Sequence, residues 1–171
     1  ITVDPHLHRV ATLEEAVPVP RAVVLSGAPL LADWIATRVE KPLLVGPDEE
    51  SAQWIAQAAA QHQFDFAVCR KVRHGDRHVE VALPTVDVKG RNVVLLDDVA
   101  SSGHTLAEAT RLLLAAGASR VDVAVTHALF ADEALQLVRT AGVSEVWSTD
   151  CIAHSTNTVS MASAIAAALT H

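Results

Sequence analysis

Val93-Val94-Leu95-Leu96-Asp97-Asp98-Val99-Ala100-Ser101-Ser102-Gly103-His104-Thr105-Leu106 decides how this chain is organised. Four apolar residues in a row suit a strand covered on both faces, as in a parallel sheet. Two adjacent carboxylates close the strand. A short Ser/Gly/Thr loop then opens a helical pattern that runs through Leu106, Ala109, Leu113 and Ala116. In a parallel α/β sheet, ligands bind beyond the carboxyl ends of the strands. The loop ahead of a helix offers backbone N–H groups and the positive end of the dipole, which together make an anion cradle. Ser101, Ser102 and Thr105 add hydroxyl donors, Gly103 lets the backbone approach an oxyanion, and His104 sits in the same loop. The spacing and lysine of a Walker loop are absent. Asp97 and Asp98 would repel a phosphate placed against them, so they suit sugar hydroxyls or a Mg²⁺ ion. An anion loop beside diol-binding carboxylates predicts a ribose 5-phosphate site. The plainer alternative is a helix cap next to an exposed strand end.

Outward from this segment the pattern repeats. Apolar runs at 43–46, 64–70, 92–96, 121–126 and 145–149 read as buried strands. Helical faces lie between most of them: Ala52, Ile55, Ala56 and Ala59, then Ala134, Leu137, Val138 and Ala141. A last one, Ala162, Ile165, Ala166 and Leu169, ends the sequence. Gly117 and Gly142 follow two of the helices, where helices commonly close. Strands alternating with helices predict an α/β fold, a mostly parallel twisted sheet with helices on both faces. One stretch, 71–91, breaks the alternation. It is polar and charged, with a short alternating piece at 78–83 before Pro84, and it predicts an extended hairpin or flexible flap.

The 171 residues suffice for one ordinary domain with a real core, and half of them are hydrophobic. A net charge of −7 argues against a nucleic-acid surface, which needs a basic face. Cys69 and Cys151 form no metal-type pair and sit in or beside apolar runs, so buried thiols are expected. No apolar run suits a membrane span and the opening residues do not read as a signal peptide, so a cytoplasmic protein is expected. Ile1-Thr2-Val3-Asp4 reads as a strand arriving from upstream, and residues 1–28, with Pro5, Pro18 and Pro20, read as the remnant of a preceding unit and linker. Residues 29–150 are then the ligand-binding domain, and 151–171 a C-terminal segment whose helix packs back on that preceding unit.

Three further places carry candidate chemistry. His6 and His8, two apart, share one side of an extended segment and are either a metal pair or polar surface. Gly46-Pro47-Asp48-Glu49-Glu50 ends a strand and opens a helix. Asp48 there is a natural N-cap, or with its acidic neighbours a cation holder. Lys71 and Arg73, at the root of the 71–91 stretch, are either a solvated charge run or a cationic pair facing one way.

The strand, Asp-Asp and Ser-Gly-x-Thr loop resemble the phosphoribosyl pyrophosphate motif of type I phosphoribosyltransferases. Ala115-Ala116-Gly117-Ala118, Val125-Thr126-His127-Ala128-Leu129-Phe130 and Ser148-Thr149-Asp150-Cys151-Ile152 narrow the resemblance to ribose-phosphate pyrophosphokinases, nearest their archaeal branch. Val3-Asp4-Pro5-His6-Leu7-His8-Arg9 and Gly46-Pro47-Asp48-Glu49-Glu50-Ser51 extend it upstream. Ser101, where many relatives carry an acid, and His104, where a second glycine is frequent, depart from the family pattern. The resemblance implies a Mg²⁺-dependent diphosphoryl transfer from ATP to ribose 5-phosphate. Lys71 and Arg73 would be catalytic, and Asp97, Asp98, Ser101, Ser102, Gly103, His104 and Thr105 would hold the ribose phosphate. His6, Gly46, Pro47 and Asp48 would face the nucleotide and pyrophosphate, with His6 and Asp48 at the metal. It also implies a homo-oligomer in a longer, full-length form. Two rivals share the motif: a phosphoribosyltransferase consuming phosphoribosyl pyrophosphate, and a non-catalytic ribose-phosphate-binding module.

Overall fold

Alternation within the apolar runs assigns each side chain to one of two helix layers. In the computed structural model, which describes the backbone of residues 1–7, 12–74 and 78–170 and the side chains of these apart from 71–74 and 78–80, six strands form one sheet. They are β3 (Leu43–Gly46), β4 (Asp65–Val68), β7 (Asn92–Ala100), β8 (Arg120–Ala128), β9 (Val146–Thr149) and β10 (Asn157–Val159). Every pairing among them is parallel, in the order β10-β9-β8-β7-β3-β4. Leu43, Val45, Val93, Leu95, Val121, Val123 and Val125 point to one side, where α4 (His104–Ala115) and α5 (Ala134–Thr140) cover them. Leu44, Val94, Leu96, Ala124 and Trp147 point to the other, beneath α2 (Ala28–Arg38) and α3 (Ala52–His62). Each fully buried Leu, Ile or Val in these layers stabilises the fold by about 1.5–3 kcal/mol.

Chain order reverses between β3 and β7. From β3 the chain moves to the sheet edge at β4, then returns to β3's other side as β7 and proceeds through β8 and β9. The crevice beyond the carboxyl ends of β3 and β7 is therefore a topological switch point, where α/β sheets hold their ligands.

The expected strand over 64–70 divides in two. β4 ends at Val68, and β5 (Arg70–His74) leaves the sheet to pair antiparallel with β6 (His78–Ala82), Lys71 opposite Val81 and Arg73 opposite Val79. The hairpin expected over 71–91 is present in 70–74 and 78–82, while 83–91 lie outside it. The strand expected over 92–96 continues to Ala100, because β8 stays in register beside it as far as Ala128. Ala116, read as part of a buried face, is the exposed cap of α4, and in α3 Ala58 is buried while Ala56 is only half-buried. Cys69 is buried as expected, whereas Cys151 is half-buried.

At the N-terminal end, β1 (Thr2–Val3) pairs in parallel with β2 (Val24–Leu25), with the short helix α1 (Leu13–Ala16) between them. The last helix, α6 (Ala162–Leu169), has no buried residue. None of the described helices is long and apolar enough to cross a membrane.

Candidate active site at the switch point

β3 delivers the first wall of the site. Gly46 leaves no room for a side chain, since a Cβ there would collide with the Ser51 hydroxyl. That hydroxyl donates to the Asp48 carbonyl at 2.5 Å, while the Asp48 carboxylate accepts the Glu50 N–H at 3.0 Å. Asp48 thus caps the 3₁₀ turn at Glu49–Ser51 and also lines the cleft, so the two readings of this residue are compatible. Gly46 and Pro47 are buried and do not line it; they shape the turn that presents Asp48.

β7 delivers the second wall. Asp98 is 4% exposed and Asp97 half-buried, and the Asp97 carboxylate accepts the Asp98 N–H at 3.0 Å. Burial first, then the charges of Asp98 and Asp48, push the Asp97 carboxyl well above its ordinary range. The loop that follows is pinned by N–H groups of Phe130 and Ala131, which donate to the carbonyls of Ala100 and Ser101. Gly103 turns the chain at φ +73, and a Cβ there would stand 3.0 Å from both the Ala134 carbonyl and Val138. Only glycine meets both demands without strain. No side chain caps α4, so its first-turn N–H groups and dipole face whatever occupies the cleft. Ser101, Ser102, Gly103 and Thr105 line that cleft; His104, the first residue of α4, is exposed and does not.

The third wall comes from the N-terminal segment. His6 Nδ1 lies 2.5 Å from Asp98 Oδ2, and Pro5, His6 and Leu7 border the same cavity of about 720 Å³. The structure therefore gathers His6, Asp48, Asp97, Asp98, Ser101, Ser102, Gly103 and Thr105 around one space. Lys71 and Arg73 lie on β5, which leaves the same carboxyl end of the sheet. Their side chains, and His8 altogether, lie outside what is described. Sequence reasoning missed Trp54 and Leu129, which line the cleft from α3 and from the loop after β8. Leu129 is 51% exposed, and its place next to a strand end was the available signal.

Among the described residues no three His, Cys, Asp or Glu side chains are preassembled around a metal. The donor set still fits Mg²⁺, which binds one or two carboxylates and takes its remaining ligands from water and substrate phosphates. Mutual repulsion among Asp97, Asp98 and Asp48 is what a hard cation would relieve.

A wholly parallel sheet with an uncapped helix start and paired carboxylates at its switch point defines an α/β protein with an open cleft at the carboxyl ends of its central strands. The chain belongs to the phosphoribosyl transferase domain family, whose model matches residues 24–160. It is 37% identical over 149 residues to the ribose-phosphate pyrophosphokinase of Methanosarcina acetivorans, covering 86% of this chain and 53% of that protein. Identity to ribose-phosphate pyrophosphokinase 1 of Archaeoglobus fulgidus is 36% over 170 residues, covering 99% and 57%. The crystal structure of phosphoribosylpyrophosphate synthetase from Mycobacterium smegmatis superposes with a TM-score of 0.71 at 27% identity, over 86% of this chain and 50% of that one. The archaeal pyrophosphokinase resemblance read in the sequence is what these comparisons return. The chain spans about half the length of these relatives.

Proposed function

We propose that this chain is the ribose-phosphate-binding part of a ribose-phosphate pyrophosphokinase. Such an enzyme moves the β,γ-diphosphoryl group of ATP to the anomeric hydroxyl of ribose 5-phosphate, giving phosphoribosyl pyrophosphate and AMP. The observation that carries the reading is the convergence of an uncapped α4 start, the Asp97–Asp98 pair, Asp48 and His6 on one cleft. The 5-phosphate sits on the N–H groups and hydroxyls of 101–105, and the ribose hydroxyls donate to Asp97 and Asp98. Those bonds orient the anomeric oxygen for in-line attack on the β-phosphorus, with AMP as the leaving group.

Asp48 and the aspartate pair are the oxygen donors assigned to Mg²⁺, with His6 beside them. The ion would neutralise charge on the phosphates being transferred. Lys71 and Arg73, on the hairpin, are assigned to the charge that develops in the transition state. We place the protein in the cytoplasm, as a homo-oligomer in its longer form. We assign residues 29–150 to the ribose-phosphate unit, to which β10 of the following segment adds an edge strand and His6 of the preceding one a wall, and the rest of 1–28 and 151–171 to contacts with the remainder of that longer protein. That α6 has no fully buried residue and leaves Leu169 72% exposed supports that division.

Calorimetric titration of this chain with ribose 5-phosphate and Mg²⁺ tests the site, and incubation of the longer protein with ATP and ribose 5-phosphate tests the reaction. AMP and phosphoribosyl pyrophosphate are the expected products. No AMP, together with turnover of phosphoribosyl pyrophosphate and a base, would make it a phosphoribosyltransferase instead.

A further inference from the structure

We infer that Asp4 is the positioning residue of this site: it fixes the N-terminal segment so that His6 stands against Asp98, an inference that rests on the ribose-phosphate reading above. Asp4 is only 4% exposed. Its Oδ2 accepts the Gly27 N–H at 2.8 Å and the Thr126 hydroxyl at 2.7 Å. Its backbone N–H donates to the Leu25 carbonyl at 2.9 Å. The His127 ring Nε2 lies 3.0 Å from the Val3 carbonyl and 3.2 Å from that of Asp4. One residue is thus gripped through its side chain, its N–H and its carbonyl, from the β2–α2 junction and from the end of β8.

Gly27 is part of the device. A Cβ there would stand 2.8 Å from the Thr126 hydroxyl oxygen, so only a bare backbone lets that N–H and that hydroxyl share one carboxylate oxygen. Stability alone does not call for such an arrangement, because burying a carboxylate costs desolvation that an apolar pair of equal volume avoids. A fixed location does call for it. Asp4 turns the chain at φ +37, a left-handed value that few side chains adopt and aspartate tolerates. Pro5 follows with its φ locked by the ring. Two residues extend at most about 7 Å, so a fixed Asp4 confines His6 to a small volume. Because Asp4 is tied to β8 and Asp98 stands on the adjacent β7, the clamp sets the distance between imidazole and carboxylate.

The test uses the whole chain with ¹⁵N-labelled histidine, the His6 ring signals being identified by their loss in His6→Gln. Thr126→Val keeps the volume but deletes one of the two bonds to the Asp4 carboxylate, and Thr126→Ser keeps the hydroxyl. The expected result is that Thr126→Val moves the His6 ring nitrogens toward free-imidazole positions and leaves those of His62 unmoved, while Thr126→Ser restores the native signals. Ribose 5-phosphate affinity in the presence of Mg²⁺ falls about tenfold in the valine variant and recovers in the serine variant. Should Thr126→Val fail to fold, Asp4→Asn is read in the same way; it keeps shape but removes the charge that strengthens both bonds, and an intermediate shift is expected. Native His6 signals in either folded variant overturn the inference. If the wild-type chain ignores ribose 5-phosphate while the His6 signals still answer to Thr126→Val, the clamp stands and the ribose-phosphate reading falls.

Discussion

His6 and Asp98 are ninety-two positions apart in sequence, yet Nδ1 of one lies 2.5 Å from Oδ2 of the other. The pair joins the N-terminal segment to the switch-point strand, and their energetic contributions should be coupled. Asp98→Asn removes a charged acceptor and should weaken ribose 5-phosphate binding roughly 10- to 100-fold. His6→Ala should weaken it less. Groups in direct contact show coupling of about 0.5–3 kcal/mol, so the double variant should lose less than the sum of the singles. Strict additivity in calorimetric titrations would show that the contact does not matter for binding.

Gly103 and Gly90 allow strain to be separated from packing. Both take positive φ, +73 and +71, but an added Cβ meets the Ala134 carbonyl and Val138 at 3.0 Å in the first case and nothing within 4 Å in the second. Gly90→Ala should therefore cost only the left-handed strain, about 1–2 kcal/mol. Gly103→Ala should cost more and should also displace the anion loop, abolishing ribose 5-phosphate binding while Gly90→Ala preserves it. Thermal denaturation measures the first difference, since each kcal/mol is worth about 2–4 °C in a chain of this size. Equal melting points for the two variants would remove the claim that the loop packs tightly on α5.

The main sheet and the 101–105 loop were legible because their signals are local: unbroken apolar runs, and carboxylates placed just before a helix. α2 was equally legible and went unread. Ala28, Leu31, Ala32 and Ile35 follow the i, i+3, i+4, i+7 rule and are all buried. β2 and β10, of two and three residues, are too short for any periodicity to register. The strand over 64–70 was misread because an apolar run does not show where its chain leaves the sheet. The end of β4 is set by β3, which stops at Gly46 and leaves nothing further to pair with. The Asp4 clamp was not readable at all, because its partners Gly27 and Thr126 are brought to it only by the strand order.

Of the tryptophans at 34, 54 and 147, only Trp54 borders the cleft. Trp147 lies in the layer beneath α2 and α3, and Trp34 packs against that layer from α2 itself. Ribose 5-phosphate with Mg²⁺ should therefore change the intrinsic fluorescence, and Trp54→Phe should abolish most of that change while leaving affinity within about threefold, as expected for a rim contact that keeps an apolar ring. An undiminished fluorescence change in Trp54→Phe would place the ligand elsewhere.

The Asp97 carboxyl makes stability depend on pH in a particular direction. Its ordinary value is 3.8, and in the folded chain burial and the charges of Asp98 and Asp48 raise it well above that. Between those two values the native state holds a proton that the unfolded chain has released. Stability is therefore full below the unfolded value and is lost as pH rises through the folded one. Asp122, also raised by burial, acts in the same direction, so the contribution of Asp97 must be read by difference. Asp97→Asn, permanently neutral, should flatten the decline seen in urea midpoints as pH rises above the ordinary carboxylate value and should be the more stable protein once the wild-type carboxyl has ionised. In the proposed site Mg²⁺ would compete with that proton for the same oxygens. It should stabilise the wild-type chain more at pH 8 than at pH 5, and should do less for Asp97→Asn at either. Parallel midpoints for the two proteins across the range, with no preferential rescue by the cation at high pH, would mean that Asp97 is not under the electrostatic load its surroundings impose.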